Sequence, residues 1–243
     1  GDENSVKSVI DAASAETFDE WYRDRKHTEN IQNGKPYFNG PSRIKPPENH
    51  NPSRLLQCHR KAFYRRLNAP AEEEDPRGIF WVGSNFEEDI ALPFLREAVV
   101  GAEEYVTNSI WIDFTEQTDV GKIRLKGETD PVIVDAEGDP LLLTEIKTKK
   151  SVENLTSPNT HHEAQAHAYM RGLSEKYDRQ IVDTLILYGS RETLDIEVFH
   201  LEFDPEFWSD TVVDWASKQK SYQLIGELPP ADPEYSWECN FCS

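Results

Sequence analysis

The order of strand-like and helix-like segments constrains the fold of this chain more than any other feature of its sequence. Three segments rich in β-branched and apolar residues follow one another. A long helical segment, two more strand-like segments and an amphipathic helix come next. This order predicts an α/β protein with a central mixed β-sheet flanked by helices. The predicted strands are residues 104–114, 122–134, 141–148, 181–188 and 193–203.

Four helices are predicted around this sheet, over residues 53–67, 78–99, 159–177 and 205–225. Ser53 follows a proline and is a suitable N-cap, and Pro93 predicts a kink in the second helix. Residues 1–50 are predicted to form a polar N-terminal segment or arm, with an amphipathic helix over 8–22. Residues 51–243 are predicted to form one domain.

The net charge of the chain limits how it can bind DNA. Its 45 acidic and 26 basic residues give a net charge of −19, which opposes a purely electrostatic attraction to phosphates. A local basic groove remains compatible with DNA because short-range contacts depend on local charge. An acidic surface also suits a host with high internal salt, so a halophilic source is one interpretation.

The sequence favours a cytoplasmic protein that does not enter membranes. No apolar run approaches the roughly 20 residues that span a membrane, and the start shows no secretory signal pattern. The three cysteines are an odd number, so a disulfide framework is not expected.

The segment Leu-Leu-Leu-Thr-Glu-Ile-Lys carries the first candidate chemistry. Alternate residues of a strand share a face, so Leu141, Leu143, Glu145 and Lys147 are expected to point the same way. The two leucines would enter the core, and the carboxylate and the ammonium would emerge together at the strand end. An ordinary Glu–Lys pair at a strand edge is the alternative, since a buried charge needs a partner or a ligand.

Two further carboxylates occur in settings that suit metal binding. Asp130 follows Gly127 and begins an apolar strand, so a neighbouring strand can bring it near Glu145. Glu87 falls in an apolar helical stripe that also contains Gly83, Ile90 and Phe94. Carboxylate oxygens are preferred ligands of Mg²⁺ and Mn²⁺. The alternatives are a turn aspartate at Asp130 and a core glutamate bonded to the backbone at Glu87.

The predicted helix 159–177 places Gln165 and Tyr169 four residues apart on one face. This pair can orient a phosphate or another ligand, although a polar helix edge explains it equally well. His161 and His162 lie one turn earlier and are expected to be solvated.

A basic stripe and a pair of cysteines mark the two ends of the predicted domain. The predicted helix 53–67 would align four residues on one face: Arg54, Cys58, Lys61 and Arg65. Cys239 and Cys242 form a CxxC pair near the C-terminus. A solvated basic face with a chance cysteine is the alternative for the stripe, and unligated thiols are the alternative for all three cysteines.

The order of these signals resembles the successive motifs of RecB-like PD-(D/E)XK nucleases. Gly83 and Glu87 come first, and many members of that family have histidine where Glu87 stands. Then come Gly127 and Asp130, the Glu145–Lys147 tripeptide, and Gln165 with Tyr169. The flanking cysteine segments are similar to those of the iron–sulfur nucleases of CRISPR adaptation and of related viral and recombination exonucleases. The resemblance covers residues 51–243.

The resemblance implies a restriction-endonuclease-like core and a metal-dependent deoxyribonuclease, an exonuclease acting on single-stranded or end-containing DNA. Glu87, Asp130, Glu145 and the backbone carbonyl of Ile146 would bind Mg²⁺ or Mn²⁺, with Lys147 as the catalytic cation. Gln165 and Tyr169 would hold the DNA or the lysine. The phosphate contacts would come from Arg54, Lys61, Arg65, Lys149 and Lys150. The implied partners are DNA and the proteins of DNA repair, recombination or CRISPR adaptation.

The resemblance also implies a cysteine centre that joins the first helix of the domain to its C-terminal segment. The similar nucleases use four cysteines for a [4Fe–4S] cluster, whereas this sequence offers Cys58, Cys239 and Cys242. The fourth ligand would lie beyond Ser243, or another residue would complete the site, or the cluster would be incomplete. Three thiolates and a histidine would also suit zinc. A non-catalytic DNA-binding module and an iron–sulfur or zinc scaffold remain the alternative functions.

Overall fold

The structure is a computed structural model that describes residues 3–32, 46–67 and 77–241. The chain divides into two compact units, Gly1–Ser42 and Arg43–Ser243. Of the predicted site residues, Cys242 lies outside the described residues.

Among residues 3–32 of the first unit there are two helices, α1 over Glu3–Ala12 and α2 over Ala15–Gln32. One helix was predicted over residues 8–22, and the structure breaks it before α2. The hydroxyl of Ser14 accepts a hydrogen bond from the backbone N–H of Thr17 at 3.2 Å. This bond satisfies a free N–H at the start of α2, so the break is a helix N-terminus of the usual kind.

The described part of the second unit contains six α-helical segments. They are α3 (His59–Arg66), α4 (Arg77–Phe86), α5 (Leu92–Phe94), α6 (Thr160–Tyr177), α7 (Pro205–Phe207) and α8 (Asp214–Ile225). Three π-helical segments continue these helices, at Glu87–Ala91, Leu95–Val99 and Trp208–Val213. Short 3₁₀ helices occupy Pro52–Arg54 and Ser236–Phe241. The predicted helices 159–177 and 205–225 correspond to α6 and to the run from α7 to α8.

Within residues 46–67 and 77–241, eight strands form two mixed sheets. They are β1 (Asn49–His50), β2 (Tyr105–Val106), β3 (Trp111–Glu116), β4 (Ile123–Glu128), β5 (Val132–Val134), β6 (Pro140–Lys149), β7 (Asp183–Ser190) and β8 (Ile196–Glu202). One sheet has the order β1-β4-β3 and the other β2-β5-β6-β7-β8. In the larger sheet β6 and β7 are parallel, and the other neighbours are antiparallel. The α/β class is therefore confirmed, whereas the prediction of one central sheet is wrong.

The second sheet arises because two predicted strands are interrupted. Residues 122–134 divide into β4 and β5 at Thr129–Pro131, where the proline has no N–H to give to a strand ladder. The backbone and hydroxyl of Thr129 bond to the backbone of Ile110, each at 3.0 Å. Residues 104–114 divide into β2 and β3, so each half pairs in a different sheet.

The predicted helix 53–67 is wrong in its first half. Leu56 has φ +56°, a left-handed conformation that interrupts the helix, and α3 begins only at His59, after Cys58 as the N-cap residue. Asn51, not Ser53, caps the preceding 3₁₀ turn through its side chain. The basic residues of this segment therefore do not share one helical face.

The long helical run after α4 presents a different face to the core than its spacing predicted. The i→i+5 bonds of its two π-helical segments widen the turn and rotate the side chains. Phe86, Ala91 and Leu95 are buried, whereas Ile90 and Phe94 are partly exposed. Pro93 lies in α5, directly between the two π-helical segments.

Helix α6 is the central helix of the second unit, because it packs on strands of both sheets. Met170 and Leu173 are fully buried in the main core together with Ile112 of β3 and Leu143 of β6. Gly172 lets the helix approach β3, since a Cβ there would lie 2.6 Å from a methyl carbon of Ile112. Among the described residues, the helices are too short or too polar to cross a membrane.

Candidate active site

Strand β6 delivers the first two candidate residues to the edge of the core. Leu143 is fully buried, and Glu145 and Lys147 follow it on the same face of the strand. Leu141 is 41% exposed, so its predicted entry into the core is wrong. The antiparallel partner β5 is short and pairs only as far as Leu143, which leaves the second half of β6 free to line a site on that side.

Asp130 lies in the interruption between β4 and β5 and bonds directly to β6. The backbone N–H of Ile146 donates to Asp130 Oδ2 at 2.8 Å, and Nζ of Lys147 lies 3.6 Å from the same oxygen. Asp130, which was expected to lie near Glu145 from a neighbouring strand, therefore contacts the two residues that follow Glu145 on β6.

Glu145 is the most deeply buried carboxylate of the site. Its side chain has no exposed surface, its Oε1 is paired with the Lys147 ammonium, and its Oε2 has no hydrogen-bond partner. Burial, and then repulsion by Asp130, raises the pKa of Glu145 to about 8. A buried carboxylate oxygen without a partner is costly, so this atom is a good ligand for a cation.

Glu87 approaches the site from the first π-helical turn after α4. Burial, and then the neighbouring charge of Asp130, raises the pKa of Glu87 to about 7. The residue is held there by Phe86, whose ring packs directly over Gly189 of β7, a position with no space for a Cβ. The absence of a side chain at Gly189 thus lets the helix approach the sheet and brings Glu87 towards Asp130.

Lys147 is the cation that balances these carboxylates. Burial alone lowers the pKa of its ammonium, but the charges of Glu145 and Asp130 outweigh burial and raise it. The lysine is therefore protonated at neutral pH and acts as a donor in this arrangement.

Gln165 and Tyr169 reach the same site from α6, and both are buried. A side-chain hydrogen bond joins them, while burial and the charges of Glu145 and Asp130 raise the pKa of Tyr169. The tyrosine hydroxyl lies 3.4 Å from the position that a Cβ would take at Gly127. Gly127 thus provides the close approach that its place before Asp130 predicted.

The donor set of the site fits a hard divalent cation. It offers carboxylate oxygens, one of them buried and unpartnered, whose pKa values are raised by burial and mutual repulsion. The oxygens of Glu87, Asp130 and Glu145 do not all lie within 4.8 Å of one another. The Lys147 ammonium occupies the space beside two of them, so a metal ion would have to compete with it.

One cluster on the far edge of the larger sheet was not predicted. Asp183, His200 and Glu202 have donor atoms within 4.8 Å of one another, and Nε2 of His200 is 2.6 Å from Asp183 Oδ1. Cross-strand pairing of β7 with β8 creates this cluster, so no local sequence pattern announces it.

The five predicted phosphate contacts are dispersed. Arg54 is exposed and Lys150 has 81% of its side chain exposed, whereas Lys61 is buried and lies over the ring of Trp237. Arg65 is half-buried on α3. Lys149 is closest to the site and donates to Asn159 at 2.7 Å. The continuous basic stripe expected along the first helix does not form.

The two ends of the second unit meet through a carboxylate. Glu238, which precedes Cys239, is buried and accepts the backbone N–H of Cys58 at 2.8 Å. Asp232 accepts the next N–H, that of His59, at 3.0 Å. Both bonds satisfy free N–H groups at the start of α3. Cys58 and Cys239 are free thiols, and the cysteine centre stays a prediction because Cys242 is not described.

The expectation of solvated histidines at the start of α6 is wrong. His161 has a side chain only 11% exposed, and His162 bonds through Nδ1 to the hydroxyl of Tyr188 at 2.7 Å. Burial, and then the charges of Lys147 and Lys149, lowers the pKa of His162 to about 2. The sequence offered one signal for this contact. The predicted strands 141–148 and 181–188 end near Lys147 and at Tyr188, so both residues were expected at the end of a strand.

Comparison with known proteins supports the fold alone. No family model matches the sequence, and no curated protein matches it. The crystal structure of SSO0001 is similar, with a TM-score of 0.58 and 15% identity over 93% of each chain. The crystal structure of Scheffersomyces stipitis Rai1 gives a TM-score of 0.31 and 16% identity over 71% of this chain and 49% of that one. The second value is too low to carry an argument, and the first indicates a shared fold.

Proposed function

We propose that this protein is a Mg²⁺- or Mn²⁺-dependent deoxyribonuclease that hydrolyses phosphodiester bonds at the site on β6. The observation that carries the proposal is the meeting of Asp130, Glu145 and Lys147 around a buried carboxylate oxygen without a partner. A buried carboxylate oxygen without a partner calls for an explanation, and a bound cation is one that the neighbouring carboxylates also support. Glu87, Asp130, Glu145 and the carbonyl of Ile146 would hold the metal.

The residues around the metal ligands suit phosphodiester hydrolysis. A bound divalent ion supplies Lewis acidity towards the phosphate and lowers the pKa of a coordinated water. The Lys147 ammonium, protonated because of its two carboxylate neighbours, donates to the phosphate oxygen that gains charge. The Gln165–Tyr169 pair lies on the α6 side of the site and would hold the DNA strand or the lysine.

The proposal is tested with end-labelled single- and double-stranded DNA, in Mn²⁺, Mg²⁺ or EDTA, from low to molar salt. Wild-type protein should cleave DNA only when metal is present. Lys147→Ala should cleave at least about 100-fold more slowly, because the loss of one donor to a developing charge typically lowers kcat by about that factor. Lys218→Ala is the matched control, because it removes an exposed ammonium that bonds only within α8. Circular dichroism establishes that each variant is folded.

Two results would redirect the proposal. Metal-dependent cleavage by folded Lys147→Ala at the wild-type rate would remove Lys147 from the mechanism. Metal-dependent DNA binding by wild-type protein without cleavage under any condition would favour the non-catalytic DNA-binding module. The ladder of products from an active enzyme would give the polarity and the strand preference.

The proposal includes a second metal centre at Cys58, Cys239 and Cys242, an iron–sulfur cluster or zinc. Its support is the carboxylate junction that holds the Cys239 segment against the start of α3. Anaerobic purification followed by iron and zinc analysis, beside Cys58→Ser, tests it. Stoichiometric metal that the variant lacks would support the centre, and metal-free wild-type protein would contradict it. DNA repair, recombination and CRISPR adaptation are the proposed contexts.

A further inference from the structure

The buried hydroxyl of Tyr188 fixes the protonation of a histidine beside the candidate active site. The backbone N–H of Asn159 donates to this hydroxyl at 3.0 Å, and Nδ1 of His162 lies 2.7 Å from it. The tyrosine is fully buried, so its hydroxyl proton needs an acceptor, and the backbone N–H of Asn159 can only donate. Within the described residues, the acceptor that this proton meets is Nδ1 of His162. The neutral imidazole therefore carries its own proton on Nε2.

The Nε2–H group of His162 remains available as a donor. Within residues 3–32, 46–67 and 77–241, no group forms a hydrogen bond with this nitrogen. Unlike Nε2 of His161, it is not sequestered from solvent. The ring itself is held by its bond to Tyr188 and by ring contact at 5.5 Å between centroids. The donor is thus pre-oriented and has no protein acceptor.

The sheet register places this donor next to the catalytic lysine. Lys147 of β6 pairs with Tyr188 of β7, so both side chains leave the same face of the sheet. Lys149 is the next residue of β6 on that face, and its Nζ lies 4.9 Å above the Tyr188 ring. Two ammonium groups and a neutral N–H donor therefore surround one side of the site, which suits an anion.

We propose that His162 binds a phosphate of the DNA strand, donating from Nε2–H to a non-bridging oxygen of the phosphate next to the scissile one. Successive residues on one face of a strand are about 6.6 Å apart. This distance is comparable with the spacing of successive phosphates, so Lys147 and the Lys149–His162 pair serve neighbouring phosphates. The inference rests on the proposed DNA-cleaving function and adds a residue that holds the substrate in register.

Two substitutions separate the two nitrogens of the ring. His162→Asn keeps an oxygen near the Nδ1 position for the Tyr188 proton and removes the Nε2 donor. His162→Gln places an amide N–H near the Nε2 position and loses the acceptor for Tyr188. A flanking phosphate is bound equally in the ground and transition states, so His162→Asn should raise KM about 10-fold with kcat nearly unchanged. His162→Gln should recover most of the loss in KM, and His200→Asn is the matched control.

Oligonucleotides with a single methylphosphonate identify the contacted phosphate, because that group lacks one charged oxygen. A methylphosphonate at the contacted position should weaken binding to wild-type protein about 10-fold. It should weaken binding to His162→Asn clearly less, because only the Lys149 contact is left to lose. Equal profiles for the two proteins, or an unchanged KM in His162→Asn, would overturn the proposed contact. A variant that loses thermal stability but keeps KM would make His162 a structural residue.

The design distinguishes failure of this inference from failure of the nuclease proposal. DNA binding is measured in Ca²⁺ and cleavage in Mn²⁺, on the same oligonucleotides. Cleavage by wild-type protein with no effect of His162→Asn overturns the His162 contact alone. Binding without cleavage overturns the nuclease, and the methylphosphonate profile still decides the contact. A wild-type protein that neither binds nor cleaves DNA overturns both.

Discussion

Asp130 Oδ2 accepts the backbone N–H of Ile146 at 2.8 Å, and this bond ties the interruption between the two sheets to the strand that carries Glu145 and Lys147. The break that separates β4 from β5 thereby becomes part of the candidate site. Thr129 fixes one side of the break to Ile110, and Asp130 fixes the other side to β6. The carboxylate is held in place by the backbone, so its position does not depend on the lysine.

Replacing Asp130 should abolish the stabilisation of the folded protein by Mn²⁺. Asp130→Asn keeps an acceptor for Ile146 but removes one charge from the proposed metal ligands, so Mn²⁺ should no longer raise the melting temperature. In wild-type protein, Mn²⁺ at 100 times its Kd should add about 2.7 kcal/mol to the free energy of unfolding. Thermal denaturation with and without Mn²⁺ measures this, with exposed Asp119→Asn as the control. Equal Mn²⁺ stabilisation in Asp130→Asn would exclude Asp130 as a ligand.

Closing the space at Gly189 should displace Glu87. A Cβ at Gly189 would overlap the ring of Phe86, so Gly189→Ala forces the helix away from β7. Overpacking of this kind costs about 1–3 kcal/mol of unfolding free energy. Mn²⁺ affinity should fall together with stability, because Glu87 follows Phe86 directly. Urea denaturation and Mn²⁺ titration report the two effects.

Gly78→Ala is the control for this substitution, because a Cβ there meets nothing within 4 Å. It should be neutral or slightly stabilising, since alanine favours helix over glycine. If Gly189→Ala lowered stability without changing Mn²⁺ affinity, Glu87 would not belong to the metal site.

Acidification should destabilise the fold through His50. Burial, and then the charges of Arg66 and Lys220, lowers the pKa of His50 from 6.5 to about 3. Between these two pKa values, His50 is protonated in the unfolded chain but neutral in the folded chain. The stability due to neutral His50 is therefore complete above pH 6.5 and is lost as pH falls towards 3. The loss is about 1.4 kcal/mol of unfolding free energy for each pH unit.

Urea denaturation from pH 4 to pH 8 measures this slope in wild-type protein and in His50→Phe, which keeps a ring beside Trp215. The variant should lose about 1.4 kcal/mol less for each pH unit between 6 and 4. Parallel profiles would show that His50 is protonated in the folded protein at low pH.

Removing one charge at Glu238 should loosen the C-terminal segment. Its carboxylate accepts the backbone N–H groups of Cys58, Glu234 and Tyr235 at 2.8 to 3.2 Å, and Glu238→Gln leaves only one acceptor oxygen for them. A buried unsatisfied donor costs about 1–3 kcal/mol. Limited proteolysis near the C-terminus should be faster than in wild-type protein. Exposed Glu227→Gln is the control, and equal cleavage of the two variants would contradict the prediction.

The sequence predicted the parts of the site that depend on local periodicity. Two-residue alternation in β6 put Glu145 and Lys147 on one face, and four-residue spacing in α6 put Gln165 beside Tyr169. The place of Gly127 before Asp130 likewise predicted a close approach. These relationships follow from the geometry of a single strand, helix or turn, so they need no knowledge of distant residues.

Predictions that depended on the ends of elements were less successful. The left-handed residue Leu56 divides a predicted helix, and the segment Thr129–Pro131 divides a predicted strand. Leu56 has no local signal for that conformation, because glycine or asparagine is the usual choice there. Tertiary contacts around the turn stabilise a conformation that the isolated segment would not favour.

By itself, the sequence determined the α/β class, the order of the elements and the faces that carry the candidate residues, because each is a property of neighbouring residues on one chain segment. Only the tertiary structure decided that the described strands form two sheets and that Tyr188 bonds to His162 beside Lys147. It also decided that Glu238 caps α3 across 180 residues of sequence. Each of these depends on burial and pairing between segments far apart in the chain, which local periodicity does not encode.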